Sequence, residues 1–312
     1  MPGAVLVAYA VFAVVLLLGA GLIFARGEWS RARGGDRLVL FGPVFYAAPV
    51  AAFGSEHFTI TQEIAAMVPG WLPWHVIWAY FVGSCFILAG LSLATKIRSG
   101  LAASLLAVVF FLFVVLMDAP GWAHDLHSRF AAALMLRELA FSAGPLALAA
   151  SLGALDRGRA KSAGKLAATV ARYCIAVGVA FYAVEQFLHG RHVPGLPLEA
   201  VTPAGIFGHA VWTYLTAAVY AVAGVLLLLG MRTRAAATAV GAAAVFVVVV
   251  VYIPMAFLEH TSFTGFNYLG DTLMYAGTVL LLAGAMPHGP MPHGAKTSAA
   301  SAAAAPAAAS GE

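Results

Sequence analysis

The chain has 312 residues, 62% of them hydrophobic and only 10% charged, with a formal net charge of +4. A soluble domain carries roughly 25% charged residues, so this balance excludes a water-soluble globular protein. The apolar runs are continuous rather than alternating, which excludes a membrane β-barrel, and the small positive excess sits in short connections, so it bears on membrane orientation and not on nucleic acid.

Taken in chain order, windows of roughly 20 apolar residues predict nine spanning helices. They cover about 4–25, 38–56, 74–94, 100–118, 131–153, 168–188, 205–230, 235–257 and 265–286 by hydropathy reading. The first, "AVLVAYAVFAVVLLLGAGLIFA", has no basic residue before it and is long for a signal peptide, so it is expected to be a retained span. Between the spans, two kinds of connection alternate. "ARGEWSRARGGDR", "TKIRSG", "DRGRAKSAGK" and "MRTRA" are basic, whereas "GSEHFTITQEIAAMVPGWLPWH", "DAPGWAHDLHSRF", "LHGRHVPGLPLEA" and "LEHTSFTGFNY" are acidic and rich in histidine. Short basic loops stay cytoplasmic. The expected placement is therefore a bacterial-type inner membrane, with the N-terminus outside and the C-terminus in the cytoplasm. The Ala/Ser/Pro-rich end, residues 287–312, reads as a disordered cytoplasmic tail. Cys85 and Cys174 lie far apart in apolar runs and form no CxxC, so they read as small core residues.

A displacement of 134 residues aligns the two halves of the chain: Trp78 with Trp212, Tyr80 with Tyr214, Arg98 with Arg232, Pro120 with Pro254 and Leu139 with Leu273. Glu56 and Glu185 close the preceding helix in each half. Four helices separate equivalent points, and four is even, so both halves cross the membrane in the same direction, as parallel repeats do. The expected architecture is all-α: a first helix and basic loop (1–37), a four-helix repeat (38–153), a basic cytoplasmic linker (154–167), a second, diverged repeat (168–286) beside the first, and the tail.

The stretches "GSEHF", "MVPGWLP", "WAYFVG", "LFVVLMDAP" and "LRELAFSAG", over residues 41–153, resemble the DoxX-like group of four-helix membrane proteins. The second half, with "WTY", "AAVYAVAG" and "VYIPMAF", resembles a diverged copy of the same unit. Members of that wider group accompany redox systems, including thiosulfate:quinone oxidoreductase subunits and methylamine-utilisation proteins. The resemblance thus implies an integral component of an oxidoreductase system, linking a periplasmic or membrane redox partner on the outer side to the quinone pool. Tandem fusion and a leading helix depart from the single-copy pattern. A non-catalytic scaffold or assembly subunit and a transporter of a small solute or metal are the alternative readings.

The candidate site residues are the charges within the spans. An ionisable residue at the bilayer centre costs on the order of 2.5–3.5 kcal/mol and is a functional hypothesis by default. Arg137 lies about six residues into its span, roughly 9–10 Å at 1.5 Å per residue. Its neighbour Glu138 points about 100° away, so the two are not expected to neutralise each other; Glu138 is placed to bond Ser142 one turn on. Arg137 is expected to pair with Asp271, its own counterpart in the second repeat, or with Asp118, while Glu56 and Glu185 are rivals. Under the redox reading Glu56, Asp118, Glu138, Glu185 and Asp271 relay protons, with His57 in the same network, and Arg137 holds a quinone or other anionic oxygen. His57, His75, His124, His127, His189, His192, His209 and His260 gather on the outer side, where solvated loops, a proton-handling site and a bound metal compete as explanations. The spacing of His124 with His127 and of His189 with His192 makes these four the candidate ligands for a transition metal.

Overall fold

Residues 2–155, 161–196, 200–203, 205–206 and 208–287 are described by a computed structural model. Among them the chain is all-α, apart from one isolated bridge between His192 and Val201, and nine helical segments are long and apolar enough to span a bilayer. The leading span is α1 (Pro2–Ala25), followed by two short turns, α2 (Glu28–Arg31) and α3 (Asp36–Val39). The first half then runs through α4 (Gly42–Thr59), the short α5 (Thr61–Met67), α6 (His75–Thr95), α7 (Ser99–Phe113), a π-helical turn (Val114–Asp118), α8 (Ala119–His124) and α9 (Arg129–Ser151). The second half comprises α10 (Lys161–Leu188), α11 (His209–Leu229), α12 (Thr233–Val247), a second π-helical turn (Val248–Tyr252), α13 (Ile253–Leu258) and α14 (Phe263–Ala285).

From α6 onward every first-half element recurs in the second half at the displacement that separates Arg137 from Asp271, 134 residues. The punctuation recurs too. Arg98 and Arg232, each preceding a helix, both take left-handed backbone at φ 52° and 45°. Each π turn leads into a proline, Pro120 or Pro254. A proline ring clashes with the carbonyl four residues back, here that of Leu116 or Val250, and the wider turn relieves the clash. One boundary differs from expectation: α10 begins at Lys161, inside the basic stretch read as a linker. Its Ala, Lys and Leu residues are strong helix formers, so charge alone did not end the helix. The tail beyond residue 287 lies outside the described residues.

One end of the bundle gathers the basic connections. There Arg26 donates to the Thr95 carbonyl at 3.1 Å, Lys96 pairs with Glu28, and Arg234 pairs with Asp36 at 2.6 Å while donating to the Ala283 carbonyl at 2.7 Å. Arg172 donates to the Leu227 carbonyl. Three of these arginines thus cap the C-terminal carbonyls of α6, α11 and α14, where the helix dipole favours a cation.

The spans form a closed circuit in which each touches the next: α4, α6, α7, α9, α10, α11, α12, α14 and back to α4. Across this circuit α9 and α14 also pack on each other, dividing it into two lobes, and α1 lies outside against α4 and α6. Each half therefore lays its last helix against the first helix of the other half. Contacts between equivalent residues mark the pseudo-twofold axis. A Cβ on Gly144 would lie 2.8 Å from the Cα of Thr278, its counterpart. Two turns earlier Arg137 meets its counterpart Asp271. A close approach also joins α14 to α4, where a Cβ on Gly277 would lie 2.4 Å from the backbone nitrogen of Tyr46.

Candidate functional site

α9 begins cleanly, with the Ser128 hydroxyl accepting from the Ala131 amide at 3.2 Å, and carries Arg137 and Glu138 to the shared wall between the lobes. Arg137 donates from Nη1 to Asp271 Oδ2 at 2.5 Å and from Nη2 to Glu138 Oε1 at 2.9 Å. The expected partner Asp271 is thus found, and Asp118 is not the one. The expectation that Arg137 and Glu138 cannot neutralise each other is corrected. Their Cα–Cβ bonds do diverge, but the long arginine side chain bends its guanidinium back to the neighbouring carboxylate. Glu138 also does not bond Ser142, whose hydroxyl donates instead to the Ala107 carbonyl at 2.7 Å and so ties α9 to α7. One further bond fixes α9: Pro145 deprives the Phe141 carbonyl of its helical donor, and the Tyr46 hydroxyl supplies one at 2.8 Å.

Beside this cluster, in the first lobe, is a cavity of about 550 Å³. Such a volume falls within the roughly 300–1,000 Å³ typical of small-molecule sites. Its walls come from α4, α6, α7 with its π turn, α9 and α14, and α5 and the 67–72 segment also line it. Most of the lining is apolar, including Phe86, Phe110, Phe113 and Phe141; the polar side chains are Glu56, His57, Asp118, Arg137, Glu138, Asn267 and Asp271. Four polar atoms in this wall are buried without a partner in the protein: Glu56 Oε1, Asp118 Oδ2, Arg137 Nε and Glu138 Oε2. Glu56 is 7% exposed and Asp271 6%. A buried polar group left unpaired costs about 1–3 kcal/mol, more if charged. All four belong to residues that line the chamber, so its polar lining sits beside unmet hydrogen-bonding capacity while the rest is apolar.

Of the candidate residues, Arg137, Glu138, Asp118, Asp271, Glu56 and His57 therefore converge on one cavity. Glu185 does not. It lies in the second half, paired with Arg129 at 2.8 Å and close to His189 Nδ1 at 3.4 Å. The four candidate metal ligands are not brought together either. His124 and His127 are exposed at the end of α8, while the rings of His189 and His192 pack edge to face with centroids 5.7 Å apart. Among the described residues there is no group of three or more His, Cys, Asp or Glu placed to hold a metal ion. The His209 side chain is outside the described residues. Trp71 and Trp74 lie on the surface, at 68% and 74% exposed. Cys85 and Cys174 are free and half-buried.

The corresponding space of the second lobe is occupied by the chain itself. Val193 and Leu196 are fully buried, the Pro194 carbonyl accepts from the Tyr252 hydroxyl, the Leu196 carbonyl accepts from Thr272 Oγ1 at 3.0 Å, and the Gly195 amide donates to Gln186 Oε1 at 3.1 Å. Sequence reasoning missed this plug and the apolar part of the cavity. The repeat displacement could have pointed to the first, because it places Tyr252 opposite Asp118 and Thr272 opposite Glu138. The second half thus lacks those two carboxylates.

No family model, curated protein or solved structure matches this chain.

Proposed function

We propose that the chain is an integral membrane component of an oxidoreductase system and takes a quinone-class molecule into the cavity of its first lobe. The observation that carries this reading is the apolar, aromatic chamber whose polar lining residues include four buried atoms without partners, Glu56 Oε1, Asp118 Oδ2, Arg137 Nε and Glu138 Oε2. A ligand with an apolar body and a compact oxygen-bearing head suits both parts of that lining. The redox assignment draws on the resemblance of residues 41–153 to the DoxX-like group. The positive-inside rule places the basic end in the cytoplasm and the cavity toward the outer side, where a redox partner docks.

When bound, a quinone supplies two-electron, two-proton chemistry, its electrons exchanged with the partner. The chain's own residues do the rest. Asp271 and Glu138 hold the Arg137 guanidinium in place beside the chamber, a fixed donor for a head-group oxygen. Glu56, Asp118 and Glu138 supply carboxylates that take up or release protons at the same wall. The aromatic side chains and α5 supply the apolar lining for the ligand body.

The test is quinone analysis of the intact protein purified from its native membrane in mild detergent. About one extractable quinone per chain, lost in Arg137→Leu while the protein stays folded, is the expected result. Protein that carries neither quinone nor hydroquinone and takes up neither when they are added overturns the proposal; with a stably co-purifying polypeptide, that result favours a scaffold.

A further inference from the structure

The two lobes hold the same place in opposite ways. In the second lobe, a peptide segment of the chain stands where the first lobe has its cavity, and three side chains grip it: Tyr252 and Thr272 donate to the Pro194 and Leu196 carbonyls, and Gln186 accepts from the Gly195 amide. At the repeat displacement, Tyr252 corresponds to Asp118 and Thr272 to Glu138. Glu185 and Glu56 close equivalent helices, so the residues that follow them, Gln186 and His57, also correspond. All three first-lobe counterparts line the cavity. The plug therefore marks the position that a ligand head takes in the first lobe, between α4, the π turn and α9.

The polarity at that position is reversed. Where the second lobe offers two hydroxyl donors to peptide carbonyls, the first offers two carboxyl groups beside the Arg137 guanidinium, which in their ionised form only accept. His57 adds a third acceptor. Its Nδ1 donates to the Phe53 carbonyl at 2.8 Å, which leaves Nε2 of the neutral ring with a lone pair. A carbonyl-type head, like that of the plug, would set its lone pairs against Asp118 and Glu138. An ammonium head would satisfy the carboxylates but has no lone pair for Arg137, whose Nε is, among the described residues that line the cavity, the orphaned donor. A hydroxyl does both: its hydrogen goes to Glu138 or Asp118, and its oxygen accepts from Arg137.

We infer that the first-lobe cavity selects the hydroxyl-bearing, hydroquinone form of its ligand over the quinone, and that the second lobe is a self-filled copy that binds none. This inference rests on the quinone-class reading of the cavity and adds to it the form that is bound.

The experiment is equilibrium binding of three probes to the full-length protein in detergent: 2-decyl-1,4-hydroquinone, its dimethyl ether, and the corresponding quinone under oxidising conditions. The ether keeps the shape and removes both donors. The hydroquinone is expected to bind at least about tenfold more tightly than either other probe, a difference of about 1.4 kcal/mol. In the isosteric variant Asp118→Asn/Glu138→Gln, whose amides also donate, this preference is expected to fall to within about twofold. The Tyr252→Phe variant, altered only at the plug, is expected to keep the full preference and a single binding site. If all three probes bind alike, or the preference survives Asp118→Asn/Glu138→Gln unchanged, the inference is overturned while the quinone-class reading stands. If none of the three binds, both fall together.

Discussion

Replacing Arg137 by leucine is expected to cost more than replacing Asp271, although the two are partners in one ion pair. The guanidinium is held by two carboxylates, Asp271 at 2.5 Å and Glu138 at 2.9 Å. Asp271→Leu removes one of them and leaves Arg137 still paired with Glu138. The loss is about that of one charge-assisted hydrogen bond, roughly 1.5–3 kcal/mol. Arg137→Leu leaves both carboxylates buried with no cation, and breaking a buried pair from one side costs about 3–5 kcal/mol. The double variant Arg137→Leu/Asp271→Leu strands only Glu138, so it should be more stable than Arg137→Leu alone, with the two effects far from additive. Reversible unfolding in mixed detergent micelles, followed by helical circular dichroism, reads all three free energies. Equal costs for the two single variants, or a double variant whose cost is their sum, would falsify the picture of one guanidinium shared between two carboxylates.

Three further substitutions probe the frame around the cavity. Gly277→Leu forces α14 away from α4, because even the Cβ would lie 2.4 Å from the Tyr46 nitrogen; overpacking costs about 1–3 kcal/mol or more, measurable in the same unfolding assay. Tyr46→Phe removes the donor that satisfies the carbonyl released by Pro145, and about 1–3 kcal/mol of stability should go with it; no change in the unfolding midpoint would contradict that role. Thr272→Val with Tyr252→Phe releases the plug at two of its three bonds, so amide hydrogen exchange over residues 193–196 should accelerate while quinone binding in the first lobe is retained.

Much of this arrangement was legible in the sequence because its strongest physical constraints are written one residue at a time. Apolar runs of bilayer length give the spans, and the basic connections gather at one end of the bundle. A shared displacement of Trp, Arg and Pro gives the repeat, which in turn named Asp271 as the partner of Arg137. Other features depend on three-dimensional packing that no single residue announces. The contact between Arg137 and Glu138 depends on how a flexible side chain bends once its outer end is anchored by Asp271. The cavity is bordered by α5 and the 67–72 segment in the first lobe, whereas residues 193–196 fold inward in the second. Glu185, equivalent to Glu56 in sequence, is drawn instead to Arg129, whose place at the start of α9 puts it across from the end of α10. The helical start of α10 inside a basic stretch shows helix propensity prevailing over charge in setting a boundary.

Photoaffinity labelling with an azido-quinone, followed by peptide mapping of the intact protein, tests the central claim most directly. Label concentrated in residues 53–57, 109–118 and 134–141, and displaced by excess unmodified hydroquinone, is the result expected if the first lobe holds the ligand. Label confined to the second lobe, or scattered over the lipid-facing surfaces of α6, α7 and α11 without displacement, would contradict it.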